Sequence, residues 1–380
     1  MKVLFVDQTG QLGGGELSLL DTVRGTSHTA EVVLFSDGPF RRLLEEIPVP
    51  VHLLAAGSAG EVRREAGISS LLSAVPSFVE LRNKLAKIAE GFDVIYANSQ
   101  KAFLVSALAK RRGQPLIWHL RDMLQADHFS GIMRSVAVFT GNHSANLVIS
   151  NSQATLDSFI ASGGKREKSI VIYNGISPAP FDTFSEQMVG ELRSELGWQG
   201  KFVVGAFGRL SPWKGQHVLI EAVAALPDVH LAIVGDALFG EKEYVESLHA
   251  LVQRHKLSER VHFLGFRRDV PQLMRSVDVI AHTATAPEPF GRVIVEGMLA
   301  SRPVIATRAG GAVEIIRDGE TGILVTPGHT TELQEAIKRL KTDSGFLNQL
   351  AQQGRQSALA DFSVEKMICN VDTTITRFSR

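Results

Sequence analysis

The sequence predicts an α/β protein of two doubly wound domains, each a parallel sheet with helices on both faces. Three observations lead there. Short apolar runs alternate with helical-period stretches along nearly the whole chain. The runs lack a period-two polar face, as in strands covered on both sides. A break rich in proline and glycine near the middle separates two passes of the same pattern.

In the first pass, strands are expected at 2–7, 31–35, 93–97, 115–119, 146–150 and 169–173, with helices at 16–24, 99–112 and 152–162. From 174 to 200 the pattern gives way to Asn174-Gly175, Pro178, Pro180 and a polar helix ending near Gly197 and Gly200, which reads as an interdomain linker. The second pass predicts strands at 202–208, 229–235, 261–264, 278–282, 303–307 and 322–325. Its helices are expected at 215–226, 241–256, 291–301 and 331–341, and residues 344–380 read as further helices.

Composition narrows the function classes. The 380 residues suit two domains, and 44% hydrophobic with 21% charged residues is ordinary for a globular protein. Forty basic residues balance forty acidic ones, so no basic field points to nucleic acid. The single cysteine, Cys369, excludes an intrachain disulfide framework, fits a reducing compartment and is expected to be a buried, inert thiol. The opening MKVLFVD has too short an apolar run for a secretory leader, which needs about 7–15 residues, and is expected to be a buried strand. No run of about 18 apolar residues occurs, so no spanning helix is expected. Residues 61–90 are amphipathic, with Arg63, Arg64, Arg82, Lys84 and Lys87 beside apolar residues and an interruption expected at Pro76. This segment suits a domain helix with a solvated basic side and, second, peripheral contact with anionic lipid.

In open α/β sheets ligands collect beyond the carboxyl ends of the strands, and the unusual residues here follow strand ends. After the strand at 202–208 comes GRLSPWKG, with Arg209 and Lys214 in a loop that opens a helix. A guanidinium and an ammonium beside helix N–H groups can hold a diphosphate, although two such residues also occur in plain solvated loops. After the strand at 278–282, Glu288 and Glu296 lie eight positions apart, Glu288 on the strand-to-helix loop and Glu296 inside the helix. Carboxylates accept hydrogen bonds from two hydroxyls, so one could read a sugar and the other a ribose. Glu296 sits among Val293, Ile294, Val295 and Met298, where a carboxylate without a partner is costly. The amides of Phe290, Gly291 and Arg292, after Pro289, would face phosphate.

In the first pass, TGQLGGGE (9–16) allows close backbone approach to a ligand, but it is not a GxGxxG fingerprint and disfavours a nicotinamide site. WHLRD (118–122) ends a buried strand, and His119 is either a site residue at the cleft or a core histidine. A second glycine loop, AGGAVEII (309–316), opens a short helix, in which Glu314 reads as structural. No D-x-D pair and no Cys/His cluster at metal spacing occurs, so no metal or other cofactor is expected. Departing diphosphate charge would fall to Arg209, Lys214 and helix dipoles.

Taken together, GGGE, WHLRD, YNGI (173–176), GRLSPWKG, FLGFRRDV (263–270) and EPFGRVIVE resemble the retaining GT-B glycosyltransferases of family four across nearly the whole chain. The resemblance implies two facing Rossmann-like domains with a central cleft: 1–180, joined by a C-terminal helix at about 364–380, on the acceptor side, and 181–363 on the donor side. It implies that Arg209 and Lys214 hold the donor diphosphate, Glu288 the transferred sugar, Glu296 the ribose, and Pro289, Phe290, Gly291 and Arg292 sugar and phosphate. Phe266 would lie against the nucleobase, partly through its backbone, Gly14 and Gly15 would close over phosphate, and His119 would lie near the sugar, contributing through its side chain or its backbone carbonyl. Catalysis would rest on Glu288, His119, Arg209 and Lys214.

Two departures stand out: Asn98 replaces a histidine common in relatives, and His282-Thr283 replaces a Pro-Ser pair, both leaving the acceptor open. The expected activity is transfer of a hexose from a nucleotide sugar, UDP-glucose first, with GDP-mannose and UDP-N-acetylglucosamine open. The acceptor would be a glycan or lipid-linked sugar in exopolysaccharide or envelope assembly, in the cytoplasm or on the inner face of the membrane. A non-catalytic nucleotide-sugar-binding protein and a nucleotide-sugar epimerase are the alternatives.

Overall fold

The computed structural model describes residues 1–55, 68–125, 129–237 and 241–379. All twelve predicted strands form, each within about two residues of its expected ends. The chain divides into two units, Met1–Gly175 with Val364–Arg380, and Ile176–Ser363. The boundary therefore falls after Gly175, not after 180.

The first unit holds seven strands: β1 (Lys2–Asp7), β2 (Thr29–Leu34), β3 (Val51–Leu53), β4 (Val94–Ala97), β5 (Leu116–Leu120), β6 (Leu147–Ser150) and β7 (Ser169–Val171). Their order is β3-β2-β1-β4-β5-β6-β7, all parallel. The order reverses between β1 and β4, the switch point where such sheets bind ligands. One face packs Trp118 against Phe103, rings stacked 4.3 Å apart. The other packs Phe5, Tyr96 and Ile117 under the helices Gly14–Gly25 and Val364–Thr376.

That last helix carries the expected return to the first domain. Met367, Val371 and Ile375, at helical spacing, are buried in the same core as Leu19 and Val23, and Asp372 accepts from Thr26 Oγ1 at 2.6 Å and Ser27 N at 2.7 Å. The same spacing turns Cys369 outward: it is exposed, not buried as expected.

The second unit holds β8 (Phe202–Phe207), β9 (Val229–Val234), β10 (Val261–Gly265), β11 (Val279–His282), β12 (Val304–Thr307) and β13 (Ile323–Val325), ordered β10-β9-β8-β11-β12-β13 and all parallel. Here the switch point lies between β8 and β11.

The expected linker is instead part of this unit. Helices Ala179–Asp182 and Glu186–Glu195 pack through Phe181, Leu192 and the fully buried Trp198. Arg193 donates to the Ser276 carbonyl at 2.7 Å and Arg275 to that of Phe184 at 2.5 Å. Proline and glycine marked turns inside a domain, and buried aromatic residues decided where those turns belong.

Other elements went unread. β3 is three residues at the sheet edge, too short for an apolar run. The helix Gly131–Ser144 carries two glycines and β-branched residues of low helix propensity, and is started by Ser130, whose hydroxyl accepts from Met133 N. The helix Ile68–Ala89 runs through Pro76 without the expected interruption. One proline deletes one backbone donor, and Leu81, Leu85 and Ala89 anchor the following turns in the core. Arg63 and Arg64 lie outside the described residues.

Candidate active site

Residues of the second unit gather at the carboxyl ends of β8 and β11, neighbours in the sheet. β8 runs out through Gly208, and Leu210 N donates to the Asp236 carbonyl at 3.0 Å, leading the chain into the short 3₁₀ turn Pro212–Lys214. Gly215 follows at φ 69°, a left-handed conformation that favours glycine, and opens the helix Gln216–Ala224. A side chain at Gly215 would collide with the Thr283 carbonyl. This close approach lays the Lys214 loop against the end of β11, where Thr283 Oγ1 contacts the carbonyls of Lys214 (3.2 Å) and Gly215 (3.0 Å).

The central contact follows from that approach. Lys214 Nζ binds Glu288 Oε1, and both side chains are only 16% exposed. The second carboxylate oxygen, Oε2, meets Nε2 of the buried His282, the last residue of β11. Burial pushes the Glu288 carboxyl up, but the charge of Lys214 and the charge and hydrogen bond of His282 outweigh it and hold the group well below the usual carboxylate range. Lys214 Nζ also lies 4.4 Å from the centre of the Trp213 ring, with the Arg209 guanidinium 5.8 Å from it. Arg209 is in turn held by Glu241, Nε to Oε2 3.5 Å. Two cations and a carboxylate kept ionised thus share one corner of the sheet.

The glycine loop at 309–316 completes that corner. Gly310, at φ 57°, lies where any side chain would strike the backbone of Glu288, and Gly311 N donates to the Glu288 carbonyl at 2.9 Å. Gly291, at φ 99°, caps the helix Arg292–Leu299. Inside that helix Glu296 has the partner its surroundings called for: Arg292, four residues earlier, Nε to Oε1 3.3 Å. Phe290 turns its ring into the core against Phe362, so Phe290 can meet a ligand only through its backbone. Phe266, after Gly265 at the end of β10, is 69% exposed, an aromatic face open to solvent.

The first unit has its own polar cluster at the switch point. Gly14 and Gly15 open the helix Gly14–Gly25, with Gly15 close to the aliphatic stem of Arg121. Asn98 Nδ2 donates to Asp7 Oδ2 (2.5 Å) and to the Gly15 carbonyl (3.3 Å), while its oxygen accepts from Arg121 Nε (2.9 Å). Arg121 Nη1 also donates to Asn174 Oδ1 (2.5 Å) and Ser18 Oγ (2.9 Å). Burial raises the Asp7 carboxyl to about 6. Burial, then the charge of Asp7, raises Glu16 to about 8, so Glu16 is largely protonated at neutral pH.

Two expectations change here. His119 is completely buried, its backbone paired with Ile149 in the sheet and its Nδ1 against the Tyr96 hydroxyl. Burial, and then Arg121, push its imidazole well below the ordinary histidine range, so it stays neutral. It belongs to the core. On the same strand face two residues later, beyond the end of β5, Arg121 takes the exit position, and strand periodicity was the signal that could have found it. Asn98 is likewise buried and ties Asp7 to the glycine loop, so its side chain is not placed to meet an acceptor. His282, in the pair that departs from the family pattern, is a direct partner of Glu288.

Comparison with known proteins follows the same two halves. Residues 17–175 match the family model described as "Glycosyl transferase 4-like domain", and residues 189–357 that of "Glycosyl transferases group 1". Among solved structures, Anabaena Alr3699/HepE in complex with UDP superposes with a TM-score of 0.89 at 43% identity, covering 99% of this chain and 100% of that one. The same protein in complex with UDP-glucose gives a TM-score of 0.88 at 43% identity, with the same coverage. Lipopolysaccharide core biosynthesis glycosyltransferase LpsE of Rhizobium meliloti (strain 1021) is 37% identical over 163 residues, which are 43% of this chain and 46% of LpsE. The match thus spans about half the length of that curated relative.

Proposed function

The chain belongs to the GT-B glycosyltransferases of the family-four type, and from that premise we propose that it is a retaining, metal-independent hexosyltransferase using a UDP-sugar, UDP-glucose first. The observation that carries this reading is the Lys214–Glu288–His282 contact beside Arg209 at the switch point of the second unit. The UDP and UDP-glucose complexes of HepE support the choice of donor.

In this reading Lys214 and Arg209 hold the diphosphate and take up its charge as the glycosidic C–O bond breaks. Glu288, released from Lys214 by the incoming phosphate, accepts from sugar hydroxyls, and Glu296 from the ribose. Phe266 stacks on or beside the base, and the backbone of residues 289–292 meets sugar and phosphate. The acceptor hydroxyl attacks the anomeric carbon on the face the diphosphate leaves, through an oxocarbenium-like state, and its proton passes to the departing diphosphate oxygen, which retains the anomeric configuration.

The proposed acceptor is a sugar or lipid-linked sugar in exopolysaccharide or envelope glycan assembly, a setting that the name of LpsE supports. The proposed location is the cytoplasm, with peripheral contact at the inner face of the membrane. Among the described residues no helix is long and apolar enough to cross a membrane. Support for surface contact comes from the helix Gly131–Ser144, which has no acidic residue and exposes Ile132, Val136 and Phe139 at helical spacing.

The test is product analysis by NMR after incubation with a panel of nucleotide sugars, without acceptor. Slow release of free hexose and UDP from one donor is expected. Binding without release would make the chain a non-catalytic binding protein, and an epimerised sugar would make it an epimerase.

A further inference from the structure

The dipeptide at the end of β11 does two jobs at once. Thr283, buried, holds the backbone of Lys214 and Gly215 through its hydroxyl. His282, buried beside it, puts Nε2 on Glu288 Oε2, opposite the oxygen that takes Lys214. With Oε1 and Oε2 gripped from two sides, the carboxylate plane has little freedom to turn. A strand end in the middle of the sheet fixes His282 far better than a loop would. A carboxylate only accepts, so Nε2 carries a proton in this contact. Nδ1 is buried with no hydrogen-bond partner among the described residues. Among the described residues the contact with Glu288 is the one hydrogen bond this imidazole makes.

We propose that His282 is a positioning residue that fixes the orientation of the Glu288 carboxylate, so that the site discriminates the sugar of the donor from bare nucleotide. The proposal rests on the reading of Glu288 as the group that accepts from the transferred sugar. When a diphosphate draws Lys214 away, Glu288 loses one of its two partners. His282 keeps the carboxylate in place at that moment, leaving Oε1 free to take a hydroxyl. The ligand class it serves is therefore a nucleoside diphosphate carrying a hexose with a free hydroxyl at that oxygen.

The experiment is calorimetric titration of UDP and of UDP-glucose into the full-length protein and its His282→Leu and His282→Gln variants. His282→Leu should bind UDP within about twofold of the wild type and UDP-glucose about tenfold more weakly, the cost of one hydrogen bond to a charged group. His282→Gln, whose amide N–H can take the place of Nε2, should recover most of that loss. In a Glu288→Gln background the His282→Leu change should have no further effect on UDP-glucose, because the pair acts as a unit. Equal weakening of both ligands, an unchanged ratio, or full additivity in the cycle would overturn the proposal. Wild-type protein that binds neither ligand would instead remove the functional reading. The imidazole ¹⁵N spectrum then still decides the positioning contact: a protonated Nε2 that shifts on Glu288→Gln upholds it, and one that does not move refutes it.

Discussion

Lys214 and Glu288 are 74 positions apart and form a largely buried ion pair because their loops leave adjacent strands, β8 and β11. Lys214→Ala removes the charge but not the His282 contact, so Glu288 keeps one partner. We expect turnover to fall by about 10²-fold or more, with a stability loss of about 1–3 kcal/mol and the far-UV spectrum unchanged. Near-normal turnover would contradict the electrostatic role.

Arg209 is expected to work through its planar fork. Arg209→Lys keeps the charge but loses the guanidinium face toward Trp213 and the geometry of the Glu241 contact. Steady-state kinetics should show kcat/KM reduced by about tenfold. Full activity in this variant would make Arg209 a simple point charge.

Gly310 tests the approach of the second glycine loop. Its φ of 57° and its closeness to the Glu288 backbone mean that Gly310→Ala must shift the loop or Glu288 itself. Urea denaturation should report a loss of about 2 kcal/mol, and turnover should fall with it. A variant of wild-type stability and rate would show that this backbone contact is dispensable.

Two carboxyls should give stability opposite pH dependences. Glu16 titrates near 8 when folded, above the ordinary 4.5 of the unfolded chain. The folded state therefore binds more protons across that window, and stability is lost as pH rises through it. Glu16→Gln should match the wild type at pH 4 and exceed it at pH 9 by on the order of 5 kcal/mol. Glu288 is held below the usual range, so its contribution is present above about pH 4.5 and is lost as pH falls through the lowered value. Paired urea midpoints at pH 3, 4, 7 and 9 check both signs.

The corner at the ends of β8 and β11 was legible because its groups lie in short local motifs that follow strands: Arg209 and Lys214 in one loop, Glu288 and Glu296 across one helix start. The need of Glu296 for a partner could be read from its apolar neighbours, though not that Arg292 supplies it. What escaped depends on strand ends meeting in space. Asp7, Asn98, Arg121 and Asn174 come from four separate segments, and only their convergence shows that Asn98 serves the glycine loop. His119 was drawn into the site by residue type, while a strand buried on both faces encloses it, and Arg121, two residues on along the same face, lies past the strand end. His282 was visible as an unusual residue, yet its pairing with Glu288 needs the turn geometry between β11 and the next helix.

In the proposed function Arg209, Lys214 and Glu288 grip a nucleotide sugar without a divalent ion. The direct measurement is calorimetric titration of UDP-glucose in excess EDTA, for the wild type and for Lys214→Ala. Wild-type binding unchanged by the chelator, and lost or weakened at least tenfold in Lys214→Ala, is the predicted result. Binding that appears only with magnesium or manganese, or that is indifferent to Lys214, would contradict it.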